Sequence, residues 1–143
     1  MPYSYIEEIV TADAAFRAWG QTLEETFISA FDATTNLMVD DLESITKKEV
    51  RVIEVNDRSE EMLLFQILQE LIYLKDTFCL FLRLQKASIE KKDGLFIFRG
   101  EAAGERIDNT KHHLAVDVKA VTLHLFSVRK TDFGWEAMVV LDI

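Results

Sequence analysis

Two acids near opposite ends of this 143-residue chain are the residues whose type and setting point to chemistry. Asp142 stands in Trp135-Glu-Ala-Met-Val-Val-Leu-Asp-Ile143, a run of strand-like character, and its side chain and the carboxylate of Ile143 are one residue apart. Anionic groups held that close repel unless a cation or a basic group sits between them. Asp13, in Val10-Thr11-Ala12-Asp13, lies inside an otherwise apolar run leading to Trp19. We expect the two ends of the chain to meet there. Oxygen-only donors of high negative charge suit a hard cation such as Ca²⁺ or Mg²⁺, at roughly 2.0 to 2.6 Å, rather than zinc. Three protein groups do not fill about six to eight coordination positions, so water or a partner would complete the shell. The plainer reading of each acid taken singly is an aspartate that caps neighbouring backbone at a strand end.

Other familiar chemistries lack their signatures. Gly100-Glu-Ala-Ala-Gly104 has neither the spacing nor the Lys-Ser/Thr of a phosphate loop, and there is no His-Glu-x-x-His, no cysteine pair and no Gly-x-Ser-x-Gly. His112 and His113 follow Lys111 in a polar stretch and are expected as solvated loop residues. His124, on one strand face with Thr122 and Phe126, is expected as a satisfied, half-buried histidine. Cys79, in Phe-Cys-Leu-Phe-Leu, is expected to be buried and inert. An enzyme is not expected.

The chain is long enough for one ordinary domain with one core. Sixteen Lys and Arg against 25 Asp and Glu leave a net charge of −9, which opposes binding to a phosphate backbone. Direct nucleic-acid binding is therefore not expected; the acidity steers the chain toward a basic partner or toward cations. Apolar stretches such as Phe78 to Leu82 fall far short of the roughly 20 residues that span a bilayer, so no membrane contact is expected. Met1-Pro2-Tyr3-Ser4 to Glu7-Glu8 shows no basic region followed by an apolar one, and the expected location is cytoplasmic.

The elements that must position the acids follow from periodicity and caps. Residues 3–19 form an extended segment, interrupted around Glu7-Glu8 and ending at Gly20. Thr22-Leu-Glu-Glu25 has the pattern of a capping box, so a helix starts at Leu23 with Leu23, Phe27, Ala30 and Phe31 on its buried side and Glu24, Glu25 and Asp32 toward water. It should fray near Thr34-Thr35-Asn36. The Val- and Ile-rich segment 48–55 reads as a strand. Several cap candidates in Asn56-Asp57-Arg58-Ser59 then precede Leu64, Ile67, Leu68, Leu71, Ile72 and Lys75 at helical spacing, the central helix of the core. Lys92-Asp93-Gly94 carries the Asp-Gly chemistry of a tight hairpin between strands of about 78–90 and 95–103. A polar loop, 104–113, leads to a second pair, 114–129 and 135–143, joined through Asp132-Phe133-Gly134. The whole is α+β, an antiparallel β-sheet with two main helices.

Thr11-Ala12-Asp13 leading to Trp19-Gly20, Thr22-Leu-Glu-Glu-Thr-Phe27, the second helix, Val118-Lys-Ala-Val-Thr122 with His124, and Leu141-Asp-Ile143 together resemble the archease family, protein cofactors of RNA ligation, over nearly the whole chain. The resemblance implies a single archease-like domain, 1–143, that binds a calcium-type ion. It implies an activator of the tRNA-splicing RNA ligase, promoting guanylylation of the ligase's histidine by GTP and its multiple turnover while catalysing no covalent step itself. Some members are linked to tRNA methyltransferases as chaperone-like modulators. By the resemblance, Asp13, Asp142 and Ile143 form the metal site and the exposed Lys119 contacts the partner. The family commonly has His-Thr-Ala-Asp where this chain has Val10 in the histidine position; residues 10 and 13 of a regular strand face opposite ways, so the change removes no ligand while altering how the segment is supported. For Lys119 the plainer reading is a salt bridge to Asp117, two residues away on the same face. Two readings from other classes stand beside this one. A small metal-dependent hydrolase could use the same acids, although no second base or nucleophile accompanies them. A general chaperone could keep an ion for stability alone.

Overall fold

The sequence folds around two capped helices. The computed structural model describes residues 2–7 and 13–143. Strands β1 (Tyr3–Ile6) and β2 (Asp13–Gly20) lead into helix α1 (Leu23–Met38) and a short 3-10 turn (Leu42–Ser44). Strand β3 (Glu49–Asp57), helix α2 (Glu60–Phe78), β4 (Leu80–Lys92), β5 (Leu95–Arg106), β6 (Ala120–Thr131) and β7 (Gly134–Asp142) follow. The chain is α+β with antiparallel strands and two helices, as expected. Its strands divide between two sheets, ordered β1-β2-β7-β6 and β3-β5-β4. Both helices touch both sheets: α1 packs on β1, β2 and β7 and on β4, while α2 packs on β6 and on β3, β4 and β5.

The local signals explain where the helices begin. Thr22 caps α1 by accepting from the Glu25 N–H, and the Glu25 carboxylate reaches back to the N–H of Gln21. Ser59 is the residue chosen from the cap candidates of α2, accepting from the Met62 N–H. At the hairpin between β4 and β5, Asp93 and Gly94 both have positive φ, 54° and 78°, which lets a two-residue loop match the strand twist. Gly134 has φ 145°, and a Cβ there would stand 2.2 Å from the Gly20 carbonyl oxygen, so only glycine lets β7 start this close to the end of β2.

Several expectations are corrected. Residues 3–19 are not one strand: β1 and β2 are antiparallel partners, Tyr3 opposite Ala18 and Ile6 opposite Ala15. Helix α1 does not fray at Thr34-Thr35-Asn36. Thr34 donates its hydroxyl to the Ala30 carbonyl and Thr35 to the Leu82 carbonyl, so these polar side chains are satisfied inside the core rather than competing with the helix. Asp32 does not face water freely, because the Arg83 guanidinium grips it with two hydrogen bonds at 3.1 and 3.0 Å. Cys79 is exposed, at the C-cap of α2 with φ 55°, because the chain reverses there before β4 begins. Strand β5 runs on to Arg106 and β6 starts only at Ala120, which leaves a long connection, 107–119, laid across α1 and α2.

Candidate functional site

The register of β2 against β7 sets the site. Ala15 faces Val140, Phe16 faces Val139 and Ala18 faces Ala137, all buried. A slip of one residue would turn Phe16 out of the core, so this pairing is strongly specified. Its consequence at the strand ends is that Asp13 faces Asp142, both half-buried. Strand β6 reaches the same level from the other side, with Ala120 opposite Asp142 and the Lys119 N–H donating to the Asp142 carbonyl at 2.8 Å. Asp13, Asp142 and Ala120 thus form one row across three strands. Exposed Lys119 stands one residue beyond it and Ile143 follows Asp142.

Like charges directly opposed on neighbouring strands destabilise the pair. Among the described residues neither carboxylate accepts a hydrogen bond or joins an ion pair. A hard divalent cation fits this donor set, oxygen-only and doubly anionic. Among the described residues, no group of three or more His, Cys, Asp and Glu side chains is assembled to hold a metal, so Asp13 and Asp142 need further oxygen ligands, as from Ile143, a partner or water. Val10, Thr11 and Ala12, and with them the departure from the family pattern at Val10, lie outside the described residues.

The salt bridge expected between Lys119 and Asp117 is not formed. Asp117 is instead held by Lys75, whose Nζ lies 2.6 Å from its carboxylate, 2.5 Å from that of Asp76 and 2.8 Å from the Val118 carbonyl oxygen. Three acceptors satisfy all three ammonium protons. The Lys75 side chain is only 6% exposed. Burial alone would lower its pKa, but the hydrogen bonds and charges of Asp117 and Asp76 outweigh this and hold it above the ordinary lysine value. The signal was present in the sequence: Lys75 falls in phase with the apolar face of α2.

A second ionic cluster was not anticipated. Glu105, near the end of β5, is buried and accepts from Lys111 Nζ at 2.5 Å, from the Thr46 N–H at 2.8 Å and from His112 at 3.0 Å, with Lys48 at 3.5 Å. Burial pushes its pKa up, but the bonds from Lys111, Thr46 and His112 more than offset this, and it is lowered to about 2. His112 is therefore not a solvated loop residue; its side chain is enclosed because Glu105 and the Phe81 ring claim it. The Asp108 N–H donates to its Nδ1, so Nε2 carries the proton given to Glu105. His113 is exposed, as expected, and pairs with Asp40. His124 is exposed rather than half-buried, because the pairing of β6 with β7 is interrupted between Thr122 and Ser127, where Leu125 has φ 54°.

At the opposite end of the β2–β7 pair, Trp19, Ile28, Phe133 and Trp135 line a largely apolar cleft of about 710 Å³, flanked by Glu25 and Glu136.

The family model described as "Archease protein family (MTH1598/TM1083)" matches residues 3–143. The chain is 40% identical over 137 residues to a protein archease of Pyrococcus furiosus, covering 93% of this chain and 94% of that one. It is also similar to the solution structure of Methanobacterium thermoautotrophicum protein 1598, with a TM-score of 0.85, 35% identity and 99% of each chain covered. A crystal structure from Thermotoga maritima, described as an archease and possible chaperone, shares the fold at a TM-score of 0.64 and 17% identity, covering 98% of this chain and 99% of that one.

Proposed function

This chain belongs to the archease family, and from that premise we propose that it is a protein cofactor of a tRNA-splicing RNA ligase. It promotes the ligase's GTP-dependent guanylylation and multiple turnover and makes or breaks no covalent bond itself. The observation that carries the reading is the cross-strand register that sets Asp13 opposite Asp142. Asp13, Asp142 and Ile143 would hold a Ca²⁺-type cation, which supplies positive charge between opposed acids and open positions for a partner's oxygens. Lys119, exposed beside this row, contacts the partner. Activation requires only that the acidic end bind the nucleotide-receptive conformation of the ligase better than its other states.

The test is covalent GMP transfer to the ligase of the same organism under limiting cofactor. Asp13→Ala together with Asp142→Ala should lower stimulation by roughly 5–150-fold, the usual range of a coupling between two binding events. Wild-type stimulation by a folded double variant would sink the assignment. The hydrolase reading requires metal-stimulated turnover of nucleotide or RNA by this chain alone. The general-chaperone reading, extended to tRNA-modifying enzymes such as a methyltransferase, draws support from the apolar cleft at Trp19, Phe133 and Trp135. In that case cation removal lowers the melting temperature while ligase stimulation is absent from the start.

A further inference from the structure

The connection between β5 and β6 is pinned at successive points before it delivers Lys119 to the acidic row. Its His113 and Leu114 reach the end of α1, where the Asp40 N–H donates to the His113 carbonyl and Leu114 bridges to Val39. The N–H groups of Ala115 and Val116 donate to the carbonyls of Met38 and Leu37. Then Asp117 and the Val118 carbonyl are taken by a single buried group, Lys75 Nζ, from α2. Val118 is fully buried, whereas Lys119 is exposed and gives its N–H to Asp142. Beside the packing of the Val118 side chain, the polar fixed points nearest the site depend on one ammonium.

We infer that Lys75 is a positioning residue: by clamping Asp117 and the Val118 carbonyl to helix α2, it sets where Lys119 stands against the Asp13–Asp142 pair. A leucine at this place would leave the Val118 carbonyl without a donor and Asp117 to solvent. The 66% exposure of the Asp117 side chain shows that Asp117 itself contributes little to the core. The inference rests on the proposed role of Lys119 only for its functional consequence.

Amide hydrogen exchange on the folded chain, followed residue by residue, tests the positional claim without any ligase. In Lys75→Met, and in Asp117→Asn as the milder variant, exchange of the Lys119 amide should accelerate by about tenfold or more, while amides of β2 and α1 stay within about twofold of wild type. Unchanged exchange at Lys119 in the folded variants would overturn the inference, and so would a uniform rise through β2 and α1, which would make Lys75 a packing residue alone. The functional arm is a double-mutant cycle with Lys119→Ala, read as affinity for the ligase. If Lys75 acts through Lys119, the loss caused by Lys119→Ala shrinks in the Lys75→Met background instead of adding to it; simple additivity would count against it. Should Lys119→Ala leave affinity intact in the wild-type background while the exchange arm behaves as stated, the partner contact falls and the positional claim stands.

Discussion

At the scale of single residues, the opposition of Asp13 and Asp142 has a sign that can be measured. Two carboxylates directly across an antiparallel pair cost about 0.2–1 kcal/mol. In chelator, Asp142→Asn should relieve that repulsion and raise the melting temperature by roughly 0.5–4 °C, given about 2–4 °C per kcal/mol for larger domains and somewhat more for smaller ones. With millimolar Ca²⁺ the order should invert, because only the wild type gains stability by binding the ion in its folded state. Thermal melts of both proteins in both conditions decide it. A wild type indifferent to Ca²⁺ would remove the cation from this pair. The meeting of these acids was legible in the sequence because Asp142 ends one strand-like run and Asp13 interrupts another that is otherwise apolar, although the start of β2 at Asp13 was not. The surroundings of His112 and Cys79 were not. The imidazole is enclosed by Glu105 and by Phe81, which lies far off in sequence, while the thiol is exposed by a left-handed reversal at the end of α2 that the apolar run around it does not signal.

At the scale of elements, cap and turn chemistry was legible and the length of the loops was not. Thr22, Ser59 and Asp93-Gly94 act over three or four residues, within reach of pattern. The connection 107–119 is held by tertiary bonds, notably those to Glu105, that no periodicity encodes. Glu105 gives this connection a pH dependence. Its pKa is lowered from 4.5 to about 2 in the folded chain, so the unfolded chain takes up the proton first as the solution is acidified. The stability it contributes is present above the unfolded value and is lost as pH falls through the window from about 4.5 to about 2. Urea unfolding at pH 7, 4 and 2.5 should show Glu105→Gln less stable than wild type at pH 7, with the difference narrowing across that window. A difference that stays constant with pH would mean that the cluster acts through packing and not through the charge of Glu105.

At the scale of the whole molecule, the α+β class was legible from the alternation of the two periods, but the division of strands between two sheets was not. β2 pairs with β7 and β3 with β5 across long sequence separations, and no local pattern encodes which partner each strand takes. What composition does carry to this scale is charge. A net charge of −9 on 143 residues gives the molecule a long-range field, and the proposed contact at Asp13 and Asp142 adds its own acids to that field. If the partner presents a basic surface, encounter is accelerated at low salt and slowed as the Debye length shrinks from about 30 Å at 0.01 M to about 3 Å at 1 M. The association rate constant with the ligase, followed by stopped-flow fluorescence over that range, should fall by at least about tenfold. The dissociation rate should move much less, because contacts already formed exclude most of the screening ions. An association rate flat in salt would mean that the field plays no part in bringing the two proteins together, and that only short-range contacts at the acidic row, Lys119 or elsewhere hold them.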